Sequence, residues 1–298
     1  MSSKQYYYFP PYQPQFYFPK NRFNTFIKYY NAYSLKSRII WNFFLYIPGL
    51  KKIFIINEEA LPTEIKMLNK SIDFTGFDVF YNKGTIGPEQ KTTAIAFNKC
   101  KRIFIKYGDT PLAKELIKNE ANSIKKLSKN YNYFPKLLNY QNLNGYSYFT
   151  TTVIDGEKLN TTMLTKEIID FLLTFQVNNS NKGLHKIFSH GDFCPWNLII
   201  GRNGEVIPID WEMSGNKSLG YDLFTFIFHT NFLLNPKKGI DKILSDNIQW
   251  IEQYFDYYKI NDYKKYLHSF ASQRAVKESG NQTKKLHNKY IKLVKFCE

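Results

Sequence analysis

The sequence predicts an α+β fold with two lobes, a small N-terminal lobe built on an antiparallel β-sheet with one key helix, and a larger, mainly helical C-terminal lobe. Segments with the two-residue period of β-strands follow one another from Phe77 to about Asp155, and only one strongly helical segment interrupts them. From about Thr161 the spacing of apolar residues is mainly helical. We therefore expect a β-rich lobe at 61–154 and a helical lobe at 155–298.

The composition is that of a globular protein with an excess of positive charge. Hydrophobic residues make up 43% of the 298 residues, which excludes wholesale disorder. Lys and Arg number 41 against 25 Asp and Glu, so the formal charge is +16. Such a balance favours anionic partners such as nucleotides, nucleic acid or a membrane surface, but a solvated lysine-rich surface gives the same charge.

Cysteine usage and apolar runs indicate a cytoplasmic protein. The three cysteines form no C-x-x-C pair, which argues against a disulfide framework or a zinc site. The longest apolar run, Ile39 to Ile47, is too short to span a bilayer, and the aromatic, Pro-rich amino terminus does not resemble a signal peptide.

Residues 1–60 form a predicted N-terminal arm. The segment before Glu58 contains eight Lys or Arg and many aromatic residues, but no acidic residue. The stretch from Ser34 to Ile47 predicts a short helix with a basic end. Residues 1–57 could contact the inner face of a membrane peripherally, or pack their rings on the following lobe. Nucleic acid is the weaker interpretation, because no RNA-binding motif accompanies the aromatic residues.

Three antiparallel strands are predicted at FDVFYN, TTAIAF and RIFIKY, and two more at KLLNYQN and YSYFTTTVID, around the turn Asn144-Gly145. Gly84 and Gly87 lie in the first connection. They do not complete a G-x-G-x-x-G pattern, so a glycine-bearing hairpin and a phosphate-binding loop both remain open.

The helix after these strands contains a carboxylate on its apolar stripe. Thr110 and Pro111 predict its start, and Glu120 lies four residues from both Leu116 and Ile124. A buried carboxylate requires a cationic partner, and Lys106 in the apolar strand RIFIKY is the obvious candidate. The alternative for each residue alone is a long side chain that reaches solvent.

The segment FSHGDFCPWNLIIGRNGEVIPIDWE concentrates hydrogen-bonding and metal-binding side chains. The turn Gly201 to Gly204 predicts a hairpin that brings Asn197 close to Asp210. An amide oxygen beside a carboxylate suits Mg²⁺ that holds substrate phosphates. Asp192 precedes the hairpin and is free to contact an acceptor hydroxyl, in the same order as in a protein-kinase catalytic loop.

With these residues in place, HGDFCPWN followed by IDWE resembles the signature of the aminoglycoside phosphotransferase and choline kinase-like family, relatives of the protein kinases. The resemblance covers about residues 76–230. It implies a two-lobed protein-kinase-like fold, ATP and Mg²⁺ as cofactors, and transfer of the γ-phosphoryl group to a hydroxyl of a small molecule.

The resemblance implies a role for each matching residue. Asp192 would position or deprotonate the acceptor hydroxyl, and Asn197 and Asp210 would bind Mg²⁺. Lys106, held by Glu120, would contact the ATP phosphates. The remaining implied roles are a phosphate loop at Gly84 and Gly87, adenine contacts through the backbone near Val153 to Asp155, a metal-ordering carboxylate at Glu212, a brace at His190 and a loop-steadying acid at Asp222.

Departures from protein kinases favour a small acceptor. The loop contains HGD rather than HRD, and the short stretch between Asp210 and Asp222 leaves no room for an activation segment. From 235 to 298 the chain has 13 basic against 7 acidic residues, which favours a sugar or glycan-lipid precursor over a polycation. An aminoglycoside or choline/ethanolamine-type kinase and a catalytically weak nucleotide-binding scaffold remain alternatives.

Overall fold

The computed structural model describes residues 4–30, 35–84, 86–159, 161–175, 178–179, 185–280 and 283–298. The chain folds as two units. The first comprises Met1–Asn130 with Pro135–Val153, and the second comprises Tyr131–Phe134 with Ile154–Glu298. The main boundary thus falls one residue before the predicted limit of the β-rich lobe.

The first unit is built on one antiparallel sheet of eight strands, in the order β3-β1-β2-β4-β5-β6-β8-β7. The strands are β1 Gln5–Phe9, β2 Phe16–Pro19, β3 Ile55–Asn57, β4 Asp78–Asn82, β5 Thr92–Phe97, β6 Arg102–Gly108, β7 Leu137–Leu143 and β8 Tyr146–Thr152. The last five correspond to the five strands that the sequence predicts.

Residues 1–60 belong to this unit rather than forming an arm of their own. β1, β2 and β3 extend the sheet beyond β4, and α1 Phe23–Phe26, α2 Leu35–Tyr46 and α3 Leu50–Ile53 connect them. The predicted helix from Ser34 to Ile47 is present as α2, although Ser34 lies outside the described residues.

The aromatic residues of this segment form a core against the sheet. One buried cluster consists of Phe9, Phe18, Phe23, Phe26, Trp41, Phe44, Phe80 and Ile95. The rings of Phe18 and Phe80 lie 4.9 Å apart between centroids, and those of Phe9 and Trp41 lie 4.8 Å apart. The aromatic composition of the N-terminal segment therefore has a packing role, as the second interpretation of its sequence expects.

Two further helices complete the first unit, α4 Thr63–Ser71 and α5 Pro111–Asn130. The Ala113 amide donates to Thr110 Oγ1 at 3.1 Å, which is the predicted cap of α5. The apolar stripe of α5 is buried, and Glu120 is buried with it.

The second unit is mainly helical. Its helices are α6 Lys166–Thr174, α7 Tyr221–Phe224, a π-helix at Thr225–His229, α8 Thr230–Leu234, α9 Ile240–Ser245, α10 Ile248–Tyr257, α11 Lys264–Lys277 and α12 Lys284–Cys297. Two three-stranded sheets accompany them, with the orders β13-β12-β9 and β10-β11-β14. Their strands are β9 Gly156–Lys158, β10 Asn178–Asn179, β11 Lys186–Ser189, β12 Leu198–Gly201, β13 Val206–Pro208 and β14 Gly215–Ser218.

Within the described residues, no helix combines the length and the apolar character that crossing a bilayer requires.

We predict that Phe18→Ala destabilises the first unit by about 3–5 kcal/mol, because the substitution leaves a cavity at a fully buried ring. Denaturant unfolding, followed by tryptophan fluorescence from Trp41, would measure the loss. Phe43→Ala is the matched control, since Phe43 is 55% exposed and should change the free energy of unfolding little. Equal losses in both variants would contradict the packing role of the N-terminal aromatic residues.

Candidate active site

A buried carboxylate fixes the loop between β11 and β12. The backbone amides of His190 and Gly191 donate to the two oxygens of Asp222, at 2.7 and 2.9 Å. Burial raises the pKa of the Asp222 carboxyl, while the nearby His190 and the two amides favour its charged form. Asp222 therefore steadies this loop from α7, as the resemblance implies.

Gly191 is required by the geometry of the same loop. Its φ is +83°, in the left-handed region, and an added Cβ would lie 2.1 Å from the carbonyl oxygen of Met213. The close approach explains why the loop contains HGD, since a larger residue at this position would displace the segment after Asp210.

His190 acts as a brace. Its Nε2 lies 2.8 Å from the carbonyl oxygen of Ile209, which can only accept, so Nε2 carries the proton. Its Nδ1 accepts the Asp192 amide at 3.2 Å. Both nitrogens of a neutral ring are therefore used, and the imidazole links the loop to the residue before Asp210.

Asp192 and Asn197 face each other across the loop. Asn197 Nδ2 donates to the Asp192 carbonyl oxygen at 2.9 Å and to Asp192 Oδ2 at 3.1 Å. This assignment leaves Asn197 Oδ1 available to a cation. The side chain of Asp192 is 29% exposed, so its carboxylate remains accessible to a ligand.

The predicted hairpin places Asn197 beside the end of β13. β12 and β13 pair antiparallel, and the Ile209 amide donates to the Asn197 carbonyl oxygen at 2.8 Å. Asp210 follows directly, with φ of +69°. A non-glycine residue in the left-handed region is uncommon, and strained backbone positions cluster at functional sites.

Asp210 and Glu212 present carboxylate oxygens within 4.8 Å of each other. Two carboxylates at this distance repel, and a divalent cation would offset the repulsion. Like the amide oxygen of Asn197, these carboxylates are hard oxygen donors of the kind that Mg²⁺ prefers. The residues of the second unit are thus suited to the metal that the resemblance implies.

Lys158 is a cation near Asp210 that the sequence analysis missed. It lies on β9, and burial lowers the pKa of its ammonium group while Asp210 raises it. β9 pairs with β12, next to the hairpin that ends at Asp210. The Gly156-Glu157-Lys158 segment is too short to show a strand period, so only the pairing reveals this lysine.

The first unit contains the predicted lysine–glutamate pair. Lys106 on β6 donates to Glu120 Oε2 on α5 at 2.5 Å, and the two residues are 5% and 2% exposed. A buried ion pair of this kind holds the lysine at a fixed place on the sheet. The geometry agrees with the pairing expected from the apolar surroundings of both residues.

The other four residues predicted to contact the nucleotide have less distinctive surroundings than the Lys106–Glu120 pair. Gly84 has φ of +75° and approaches the carbonyl oxygen of Lys91, whereas Gly87 has open space around it. Val153 follows β8, and Asp155 Oδ2 accepts Arg202 Nη2 at 3.2 Å. Gly84 is explained by its turn alone, so nucleotide binding by these four residues stays a prediction.

Arg274 is the second residue that the sequence analysis missed. It is fully buried on α11, and its Nη2 lies 3.5 Å from Asp192 Oδ1. Its Nε donates to the Tyr290 hydroxyl at 3.3 Å, and that hydroxyl lies 2.7 Å from His229 Nδ1. Because Tyr290 accepts from Arg274, it donates to His229, whose Nδ1 is then unprotonated. A polar chain therefore connects α12, α11 and the π-helix to Asp192.

Asp192, Cys194 and His229 also have ligand atoms within 4.8 Å of one another, but their environment opposes a metal ion. Burial raises the pKa of the Cys194 thiol well above its usual range. Burial and the charges of Arg274 and Lys277 lower the pKa of His229 to about 2. The same positive charges would repel a cation.

Comparison with solved structures identifies the class of fold. The choline kinase LicA from Streptococcus pneumoniae superposes with a TM-score of 0.52 at 14% identity, over 78% of this chain and 99% of LicA. LicA in complex with AMP gives 0.52 at 13% identity, over 78% and 98%. An aminoglycoside-3'-phosphotransferase of type VIII gives 0.46 at 12% identity, over 65% and 91%. The LicA structures confirm the predicted two-lobed, protein-kinase-like α+β fold class.

A family comparison agrees with the fold. Residues 164–267 match the model of the Phosphotransferase enzyme family, and this range includes the loop between β11 and β12 and helices α6 to α10. The predicted resemblance to the aminoglycoside phosphotransferase and choline kinase-like family is thereby confirmed. No curated protein sequence matches the chain significantly.

We predict that Arg274→Met lowers the free energy of unfolding by about 3 kcal/mol, because it removes the cation facing Asp192 and the donor to Tyr290. Arg274→Lys keeps the charge and should lose less. Lys264→Met, an exposed position on α11, is the control and should be nearly neutral. Chemical denaturation measures all three, and a loss from Lys264→Met as large as that from Arg274→Met would contradict the role of the ion pair.

We predict that His229 makes the protein less stable as the pH falls. In the unfolded chain the ring gains a proton near pH 6.5, whereas in the folded chain its pKa is about 2. The unfolded state therefore binds more protons below pH 6.5, and His229 alone lowers the free energy of unfolding by about 1.4 kcal/mol per pH unit there. Denaturation of the wild type and His229→Gln at several pH values between about 6.5 and 5 tests this. Parallel pH profiles would disprove the contribution of His229.

Proposed function

We propose that the protein is an ATP-dependent phosphotransferase that moves the γ-phosphoryl group to a hydroxyl of a small molecule. The observation that carries the proposal is the arrangement of Asp192 and Asn197 on a loop anchored by Asp222, with Asp210 at the end of the hairpin that begins at Asn197. Phosphoryl transfer depends on positioning and charge stabilisation more than on covalent chemistry, and this loop supplies both. The family match and the fold support the same class of reaction.

Asp192 is proposed to orient the acceptor. Its Oδ2 already accepts from Asn197, and its Oδ1 faces Arg274. The carboxylate has further lone pairs for the acceptor hydroxyl. As the hydroxyl oxygen bonds to the γ-phosphorus and the bond to the ADP oxygen breaks, Asp192 takes up the hydroxyl proton. Arg274 fixes the orientation of the carboxylate during this step.

Asn197, Asp210 and Glu212 are proposed to hold Mg²⁺, which supplies positive charge to the triphosphate when bound. Asn197 presents Oδ1 because its amide nitrogen is used by Asp192. In the first unit, Lys106, fixed by Glu120, is proposed to bind the α- and β-phosphates. Gly84 and Gly87 are proposed to contact the phosphates, and the backbone near Val153 and Asp155 the adenine.

The acceptor is proposed to be a sugar or a glycan-lipid precursor. The excess of basic residues from 235 to 298 disfavours a polycation such as an aminoglycoside and leaves choline-type amino alcohols as the second candidate. A lipid-linked acceptor would be met at the inner face of a membrane. The predicted peripheral contact of residues 1–57 with that surface is therefore part of this proposal.

We predict ADP release that depends on one acceptor class when the protein is screened with ATP, Mg²⁺ and panels of sugars, amino alcohols, nucleosides and aminoglycosides. Asp192→Asn should lower the rate by about 10²–10⁴-fold, because the oriented proton acceptor is lost. Nucleotide binding, measured by calorimetry, should persist in this variant. Asp241→Asn, at a position on α9, is the control and should leave the rate unchanged.

Two results would count against the proposal. Tight ATP binding without turnover on any acceptor class would favour the nucleotide-binding scaffold. Turnover in Asp192→Asn equal to that of the wild type would remove Asp192 from the reaction.

A further inference from the structure

One face of α2 and its continuation into α3 is apolar and exposed. Ile39, Phe43 and Tyr46 are 47%, 55% and 77% exposed, and Ile47 and Ile53 beyond the helix are 42% and 70% exposed. Positions 39, 43, 46 and 47 follow helical spacing, so they lie on one side of α2. We name these five residues the α2 stripe.

The opposite side of α2 already has a packing partner. Trp41 and Phe44 are buried in the aromatic cluster of the first unit, where their rings stack with centroids 5.5 Å apart. The helix is thus anchored by one apolar face while a second apolar face remains exposed. Contiguous exposed apolar surface on a folded protein usually marks an interaction site.

The segment that contains the stripe carries only positive charge. Lys36, Arg38 and Lys52 are exposed in it, and no Asp or Glu occurs before Glu58. Helix α2 has 12 residues, too few to cross a bilayer. An apolar helix face with flanking cations and aromatic residues is the pattern of helices that lie in the plane of an anionic membrane surface.

The charge also argues against a second copy of the chain as the occupant. A two-fold interface would bring the same stripe and the same cations together from both copies. With a formal charge of +16 on each chain, that contact places like charges side by side. An anionic lipid surface complements the cations instead.

We propose that the α2 stripe and its flanking cations dock the protein on an anionic lipid bilayer, with α2 parallel to the surface and Phe43 and Tyr46 inserted among the headgroups. The inference makes specific the membrane contact that belongs to the proposed function. Lipid binding is measured without any phosphotransfer reaction. If either the membrane docking or the phosphotransferase activity fails its test, the other can therefore still be tested.

The test is co-sedimentation of the full chain with vesicles of phosphatidylcholine, with and without phosphatidylglycerol. The wild type should bind the anionic vesicles and bind neutral ones weakly. Phe43→Ser with Tyr46→Ser should weaken binding on the order of tenfold or more, since both rings lose their apolar burial. Lys36→Gln with Lys52→Gln should weaken it by roughly fivefold per charge and reduce its dependence on salt.

A matched control comes from the second unit. Met163→Ser with Tyr257→Ser removes two apolar side chains that are 73% and 63% exposed, and binding should be unchanged. Thermal unfolding of each variant checks that the fold persists. The proposal is overturned if the wild type does not bind anionic vesicles. It is also overturned if the Met163→Ser, Tyr257→Ser control loses as much binding as the Phe43→Ser, Tyr46→Ser variant. It is also overturned if the wild type forms a dimer that the stripe variant does not.

Discussion

The candidate site depends on two hydrogen bonds that backbone amides donate to the carboxylate of Asp222. By fixing the amides of His190 and Gly191, it sets where the chain turns after β11. Gly191 then passes so close to Met213 that a side chain at position 191 would displace the segment after Asp210. Asp192 and Asp210 lie on the two chain segments that this contact brings together. A single carboxylate thereby constrains both the residue proposed to bind the acceptor and the residue proposed to bind the metal.

A buried cation in each unit is paired with a carboxylate, which restricts side-chain geometry. Glu120 holds Lys106 in the first unit, and Arg274 faces Asp192 in the second. Replacing such pairs with apolar residues is often neutral for stability, so stability alone does not explain them. Their effect is to limit the conformations of Lys106 and Asp192. Reactions that proceed by positioning benefit from this restriction because the reacting groups are ordered before the substrate binds.

Much of this arrangement follows from local sequence. A carboxylate on an apolar helical stripe predicts a buried cation, and a Gly-rich turn between two apolar strands predicts which residues meet at their ends. These rules predict that Lys106 pairs with Glu120 and that Asn197 lies beside Asp210.

The same rules fail for Arg274. This residue lies 82 positions after Asp192 in the sequence, and only the tertiary fold brings the two together. Arg274 has one local signal, since it lies three and four residues after the buried Ala271 and Phe270 on the same helix. Strands β1 and β2 were missed because their aromatic residues run without alternation, so their composition suggested an arm rather than a sheet edge.

The distribution of charge explains how a basic chain can contain an acidic centre. Asp192, Asp210, Glu212 and Asp222 lie within 30 positions of one another. Backbone amides oppose the charge of Asp222, the Asn197 amide and the buried Arg274 oppose that of Asp192, and Lys158 opposes that of Asp210. The wider excess of lysine acts at longer range, where it favours the approach of anions. Near the carboxylates a divalent cation would be stabilised by direct contact, whereas over the surrounding surface a triphosphate or an anionic lipid would be attracted by the net field. The two effects act on different length scales, because salt screens the long-range field within about 10 Å but screens partly buried contacts much less. The same chain can therefore combine a carboxylate site whose oxygens suit a divalent cation with a net positive field that favours anionic partners at longer range.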